Sequence, residues 1–252
     1  MKGLVLSSGG LDSTTLLGMI IESLGADNVV SVSVNYNQKH SRELDAAEAI
    51  AKYYGVRHEV LDLTEIYKYS NCSLLRQSTE DVPEGSYAEQ IEGRTAGVST
   101  AVPFRNGLLL AAVAALAQSM FPEKQVNIYL GNHADDSAGN AYADCSPEFS
   151  EAIARAIWIG TYNQVDVATP FVTWNKAKVV KKGLELNVPY HLTTSCYNGK
   201  QKACGKCGTC IDRIAAFKAN KVIDPIEYAT EIDWSDCKKI EYIKEDNDAE
   251  IT

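Results

Sequence analysis

Residues Leu4–Thr14 read LVLSSGGLDST. An apolar run gives way to serines and glycines, meets one aspartate, and passes into a segment whose Leu16, Leu17, Ile20, Ile21 and Leu24 share one helical face. A strand feeding such a turn and then a helix places free backbone N–H groups at the positive end of the helix dipole, where phosphate binds. Gly9 and Gly10 are expected to take the positive φ that lets successive N–H groups converge, and Ser8, Ser13 and Thr14 add hydroxyls. The Lys that G-x-x-x-x-G-K-[ST] demands is missing, and the glycines do not follow G-x-G-x-x-G. An ordinary turn with Ser or Asp as N-cap is the plain alternative.

Outward from this turn, Val- and Ile-rich runs alternate with helical periodicity. Gly3–Leu6, Val29–Tyr36, His58–Leu61, Val126–Leu130 and Val165–Ala168 read as strands. Their alternation with helices predicts crossover connections and an α/β, Rossmann-like parallel sheet covered on both faces. Gly25 stands where a left-handed C-cap is expected for the first helix, and Gly55 closes a second that carries Leu44, Ala47, Ala51 and Tyr54. The segment after Arg105 is apolar nearly all round, which predicts a helix deep against the sheet. Between residues 69 and 100 the periodicity fades into polar residues with Pro and Gly, as in an insertion or lid over a site. The expected organisation is a nucleotide-binding domain over 1–190, a cysteine-rich motif and helix over 191–220, and a C-terminal segment over 221–252 ending in the solvated tail KEDNDAEIT.

Composition bounds the function. The 252 residues are 45% hydrophobic, enough for a sizeable core, and carry a net charge of −9. An acidic chain is a poor partner for nucleic acid or anionic membrane, both of which are held by Lys and Arg, so a small-molecule substrate is expected and stable nucleic-acid binding is not. The longest apolar run, GLLLAAVAALA from Gly107, is shorter than the roughly 20 residues a bilayer span needs, and the chain opens on a strand rather than a signal segment. A cytoplasmic protein is the expectation. The basic stretch Lys176, Lys178, Lys181 and Lys182 reads as a solvated helix face.

Seven cysteines, an odd number, fit a reducing compartment better than a disulfide framework. Four crowd into SCYNGKQKACGKCGTC: Cys196, then Cys204, Cys207 and Cys210. That spacing, interleaved with Gly205 and Gly208, suits a closed tetrahedral Zn²⁺ site of structural kind, with Cys210 at a helix start whose dipole favours a thiolate. An iron–sulfur cluster is the chemical competitor, although the downstream Cys-Pro of a ferredoxin run is absent. Cys72, Cys145 and Cys237 are expected to be buried, inert thiols.

Ser8, Gly9, Gly10, Leu11, Asp12 and Ser13 match the SGGxDS signature of the PP-loop ATP pyrophosphatases, whose fold is adenine nucleotide alpha-hydrolase-like. With the cysteine cluster, and with VNYNQKH, VPFRN and YADCSPEF at further stations, the chain resembles the 7-cyano-7-deazaguanine synthases of the queuosine pathway from residue 3 to about residue 218. Phe104 replaces that family's usual glycine and Ala143 its usual proline, so the wall beside Arg105 and Asp144 is expected to differ.

The resemblance implies an ATP-dependent ligase that joins ammonia to 7-carboxy-7-deazaguanine by way of an acyl adenylate and a carboxamide. It further implies a homodimer with one structural Zn²⁺ per chain and Mg²⁺ arriving with ATP. Ser7, Ser8, Gly9, Gly10, Leu11, Asp12, Ser13, Thr14, Thr15, Leu16 and Leu17 would cover the nucleotide, Asp12 also placing Mg²⁺. Arg105 would clamp phosphate or carboxylate through its fork, against the alternative of a surface charge opening a helix. Asp135, Asp136 and Asp144, beyond the fourth strand, would bind Mg²⁺ or the guanine-like edge, with loop capping as the alternative for each. His133 would shuttle a proton, against a solvent-facing loop histidine. Tyr36, Gln38 and His40 would touch adenine or substrate. No glutaminase is recognisable, so free ammonium or a separate amidotransferase is implied. Two rival functions share these motifs: a PP-loop tRNA sulfur transferase, which needs a basic surface, and a non-enzymatic zinc-binding nucleotide sensor.

Overall fold

The computed structural model describes residues 1–39, 42–91, 98–137 and 141–240. Five parallel strands, β1 (Lys2–Leu6), β2 (Val29–Asn35), β3 (Arg57–Asp62), β4 (Val126–Tyr129) and β5 (Val165–Ala168), form one sheet in the order β3-β2-β1-β4-β5. Each lies within two residues of its expected span. Leu4 of β1 sits opposite Val30 and Ile128, so the strand that feeds the glycine turn is central. Its residues read as an unbroken apolar run because both faces are covered.

The helices are α1 (Leu11–Leu24), α2 (Arg42–Tyr53), α3 (Tyr87–Ile91), α4 (Arg105–Met120), α5 (Ala134–Ser137), α6 (Pro147–Gly160), α7 (Lys176–Glu185) and α8 (Gly208–Ala219). On one side of the sheet Leu16, Leu17 and Ile20 of α1 meet Ile50 of α2, Val179 and Val180 of α7, and Phe217 of α8. On the other, Leu110 and Val113 of α4 pack with Ile157 of α6. Removing each such side chain from water contributes about 1.5–3 kcal/mol. α4 is less deep than its composition predicts: Ala111, Ala115 and Ser119 form an exposed stripe. Small side chains there leave little apolar area in water, which is why a helix apolar all round tolerates a surface.

Local chemistry sets the helix ends. The Ser146 hydroxyl accepts from the Phe149 N–H, with Pro147 at the first helical position of α6. Asn175 does the same for the Lys178 N–H of α7. Gly25 has φ 77° but ψ 145°, positive φ as expected without the left-handed helical ψ, because the chain turns at once toward β2.

Within the expected insertion, Cys72, Leu74 and Leu75 pack with Tyr36 and Tyr67. Backbone bonds from Lys39 N–H to Leu74 O (2.7 Å) and Arg76 N–H to Asn37 O (3.0 Å) tie this loop to the segment beyond β2. C-terminal to α8, Val222, Trp234 and Ile240 pack against the first core. The acidic tail lies outside the described residues. Among the described residues no helix is long and apolar enough to cross a membrane.

Candidate functional site

The turn after β1 holds one positive-φ glycine rather than two. Gly9 has φ 74°, and a Cβ there would strike the backbone of α2 at Glu43 and Ala47, so this position must be glycine. Gly10 has φ −84° and ψ 173°, extended backbone that caps α1. Ser13 Oγ accepts from the Ser8 N–H (3.2 Å) and lies 3.1 Å from Ser8 Oγ. Thr14 Oγ1 donates to Gly10 O (2.6 Å), so that hydroxyl is already engaged.

Ser7, Ser8, Gly10, Asp12 and Ser13 line a cavity of about 210 Å³ at the carboxyl end of the sheet. Leu11, Leu16 and Leu17 turn into the core instead, and Thr15 is fully buried with its hydroxyl 2.7 Å from that of Tyr190. Helical geometry allows nothing else, since successive residues point about 100° apart and one stripe of α1 must cover the sheet.

Asp12, in the first turn of α1, is flanked by two positive partners. Lys176 Nζ lies 3.4 Å from its Oδ2, and His133 Nε2 lies 3.7 Å from its Oδ1. Burial pushes the Asp12 carboxyl up, but Lys176 and His133 outweigh burial and hold it well below the usual carboxylate range. His133 is fully buried, not solvent-facing, because the chain leaving β4 passes between Asp12 and Asp136, whose Oδ1 is 3.5 Å from His133 Nε2. Burial alone would lower its pKa, yet Asp12 and Asp136 raise it above the ordinary histidine value.

Of the three aspartates beyond β4, Asp136 lines the cavity. Asp135 Oδ2 accepts from the Lys176 N–H (2.8 Å) and so caps α7. Asp144 Oδ2 accepts from the Asn106 N–H (2.8 Å) and caps α4, which has no cap of its own. Both carboxylates therefore serve helix ends and lie off the cavity lining.

The same cavity is lined by Tyr36, Glu43, Leu44, Leu74, Tyr87, Arg105 and Tyr197. Arg105 opens α4 facing inward, not as a surface charge; burial opposes its charge, but Tyr36 and further acidic groups keep it protonated. Burial, with Glu43 adding to it, pushes the Tyr36 hydroxyl up to about 12. The Tyr197 hydroxyl meets those of Tyr87 (2.9 Å) and Tyr142 (3.4 Å), fixing the rings. Gln38 lines the cavity but spends its amide on the Tyr36 N–H and Val34 O. His40 lies outside the described residues. Phe104 takes the left-handed conformation, φ 49°, that a glycine would adopt freely. It is 64% exposed with its ring edge-on to Phe149, and Ala143 is exposed too, so neither departure lines the cavity.

The four clustered cysteines bring their sulfurs within 4.8 Å of one another. Tetrahedral ligation at about 2.3 Å per Zn–S bond separates sulfurs by roughly 3.8 Å, so the set fits one ion after small adjustment. Cys196 Sγ accepts from the Cys204 N–H (3.2 Å), and Cys204 Sγ from the N–H groups of Lys206 (3.4 Å) and Cys207 (3.3 Å), donors that favour thiolates. Gly205, at φ 74°, makes that reversal possible. Cys207 is the N-cap of α8, and Cys210 lies in its first turn. Thr194, Ser195, Tyr197 and Thr209, around these cysteines, line the cavity, so the metal motif and the site share a wall. All seven cysteines are free; Cys72 and Cys145 are buried as expected, whereas Cys237 is half-exposed.

Lys176 and Glu43 carried no expected role. Lys176 looked like part of a solvated basic face, yet it is buried on Asp12, while Lys178 stacks on Trp174 and Lys182 reaches Glu22 (3.6 Å). One signal was legible: a Lys in the first turn of a helix opposes the helix dipole, so its presence beside the Asn175 cap asks for a negative partner elsewhere.

A family model described as queuosine biosynthesis protein QueC matches residues 2–221. The chain is 40% identical to a 7-cyano-7-deazaguanine synthase of Marinomonas sp. (strain MWYL1), over 90% of this chain and 98% of that one. It is 41% identical to one of Caldicellulosiruptor bescii, over 93% of this chain and all of the other. It is 37% identical to one of Archaeoglobus fulgidus, over 95% of each.

Proposed function

The chain belongs to the queuosine biosynthesis protein QueC family, and from that premise we propose that it converts 7-carboxy-7-deazaguanine and ammonia into 7-cyano-7-deazaguanine with ATP. The observation that carries this reading is one cavity lined both by a phosphate-type turn and by Arg105 with the rings of Tyr36, Tyr87 and Tyr197. A free carboxylate is a poor electrophile. Transfer of AMP to it, with pyrophosphate leaving, gives an acyl adenylate that ammonia attacks, yielding the carboxamide and AMP. A second ATP transfers AMP to the amide oxygen, pyrophosphate again leaving, and loss of AMP and of both N–H protons leaves the nitrile.

In this scheme the N–H groups around Gly9 and Gly10, those of Ser8, Gly10 and Leu11 turning from the Ser13, Ser8 and Ser195 hydroxyls that accept them here, take the departing pyrophosphate with the Ser8 and Ser13 hydroxyls, and Lys176 neutralises its charge. Asp12 and Asp136 would hold Mg²⁺ brought in with ATP. Asp12 Oδ1 suits that role, being a buried oxygen with no hydrogen-bond donor among the described residues. The ion would supply charge neutralisation on the phosphates. Arg105 would orient the substrate carboxylate toward the α-phosphorus. His133, buried against Asp12, holds that carboxylate in place rather than meeting solvent. Asp135 and Asp144 act by fixing the starts of α7 and α4. Cys196, Cys204, Cys207 and Cys210 would hold Zn²⁺, their four thiolates filling its coordination positions, and the bound ion would stabilise the cavity wall. A homodimer belongs to the same proposal, to be measured by light scattering, as does the division into 1–190, 191–220 and 221–252 with 69–100 as a lid.

The test is to incubate the protein with ATP, Mg²⁺, ammonium and 7-carboxy-7-deazaguanine and follow products by mass spectrometry. A carboxamide-mass intermediate, then nitrile, with AMP accumulating, is expected. Unreacted acid from folded, metal-loaded protein would overturn the reading. Visible absorbance from an iron–sulfur cluster, or salt-sensitive tRNA binding, would favour a sulfur transferase instead.

A further inference from the structure

Among the described residues three carboxylates line the cavity, and two are engaged: Asp12 with Lys176, and Asp136 with His133, whose backbone N–H donates to Asp136 Oδ2 (3.2 Å). The third, Glu43, has no hydrogen bond or ion pair among the described residues, although Arg105 lies near enough to act on its charge. The cavity that Glu43 lines also carries Tyr36, Leu44, Leu74, Tyr87 and Tyr197, so much of its wall is aromatic or apolar. Burial pushes the Glu43 carboxyl up to about 7, Cys196 adding to that and Arg105 offsetting only part of it. An unpaired acceptor on the wall of a cavity that also carries aromatic rings is suited to a flat ligand that presents donors.

We propose that Glu43 is the specificity residue for the bicyclic base, its two carboxylate oxygens accepting from the adjacent N1–H and 2-amino donors of the deazaguanine ring. The inference rests on the proposed reaction and names the atom pair by which that substrate is read. Two parallel N–H donors spaced across one amidine edge match the two oxygens of a carboxylate, and the base has no other edge with two donors side by side. The same contact would repel a ring with acceptors on that edge. Glu43 is placed by α2, which lies against Gly9 so closely that a Cβ there would strike the Glu43 carbonyl. The base-reading carboxylate and the phosphate turn are thereby one rigid unit, which would fix the distance between ring and triphosphate.

The alternative is structural: an acidic side chain in the first turn of α2 favours the helix dipole. The experiment separates the two. Binding of 7-cyano-7-deazaguanine is measured by equilibrium dialysis, and steady-state kinetics use the 7-carboxy acid and its analogue without the 2-amino group. For Glu43→Gln we expect Kd and KM for the base to rise about 30–100-fold, with KM for ATP unchanged within about twofold. The wild type should lose at least about tenfold in kcat/KM on the analogue, and E43Q should lose nothing further, because the partner is already gone. E43D, which keeps charge but withdraws it, should fall between.

Unchanged base affinity in a folded, zinc-loaded E43Q, or equal discrimination by both proteins, overturns the inference while wild-type turnover leaves the reaction standing. A wild type that neither binds the base nor makes nitrile overturns both.

Discussion

Lys176 Nζ stands 3.4 Å from Asp12 Oδ2, joining the first turn of α7 to the first turn of α1 beside the cavity. Removing one partner of a buried pair leaves the other charge uncompensated, which costs about 3–5 kcal/mol at full burial, and less here because Asp12 is 24% exposed. Lys176→Met should therefore lower stability by roughly 2 kcal/mol in urea titrations and lower kcat/KM for ATP by at least about a hundredfold. The double variant D12N/K176M should regain most of the stability and none of the activity. Recovery of activity along with stability would mean the pair serves the fold alone.

Glu43 gives a stability signature that does not depend on substrate. Its folded-state pKa is about 7 against an ordinary 4.5, so between these values the folded protein binds more protons than the unfolded chain. Stability then falls as pH rises through that window, and the full penalty is present above it. Glu43→Gln removes the group that titrates. The variant should match wild type near pH 4.5 and exceed it at pH 8, by something on the order of 1–3 kcal/mol. Denaturant midpoints at the two pH values check this; a variant less stable at pH 8 would show a structural Glu43.

What the sequence made legible, and what it hid, divides along a physical line. The strands and the glycine turn that follows β1 could be read because β-branched runs and the serine–glycine string act locally. Asp135 and Asp136 could not be told apart: they are neighbours on one helical turn, and a step of one residue swings a side chain from the α7 cap to the cavity. The burial of Lys176 and His133 depends on Asp12, distant in sequence, so no window around either residue contains the reason. Glu43 was hidden for the same cause, since its direction follows from the packing of α2 on Gly9. Phe104 shows the converse: glycine was expected from the resemblance, and the left-handed φ of 49° explains that preference even though phenylalanine bears it here.

The cysteine set should behave as a folding element that also supports the site. Zn²⁺ bound by four thiolates contributes up to about 10 kcal/mol to the order of such a segment. Cys207 is fully buried and caps α8, so Cys207→Ser should lose one equivalent of metal and most soluble protein together. Metal content by mass spectrometry, and soluble yield, check this. Slow chelation of wild type should lower ATP turnover in step with metal loss, because Ser195 and Tyr197 on the adjoining segment line the cavity. Full turnover after complete metal removal would separate the two.

Arg213 offers a sharper view of how that segment reaches the glycine turn after β1. Its guanidinium grips Asp224 through two bonds, 2.6 and 2.9 Å, with both side chains essentially inaccessible. It also donates to Thr193 Oγ1 (2.8 Å) and Ser195 Oγ (3.2 Å), and Ser195 Oγ in turn accepts from the Leu11 N–H (3.4 Å) at the start of α1. Arg213→Met should cost about 3–5 kcal/mol, since among the described residues it leaves the Asp224 carboxylate in the core with Tyr228 and a backbone N–H as its remaining donors. R213K keeps the charge but loses the planar fork, and should fall between wild type and R213M. Because the fork also positions Ser195, R213K should raise KM for ATP more than it lowers kcat, a split that loss of folded protein alone would not give. Urea unfolding with an unchanged m-value, run beside ATP kinetics, distinguishes these effects; a proportional fall in kcat at constant KM would show that Arg213 stabilises α8 without steering the turn.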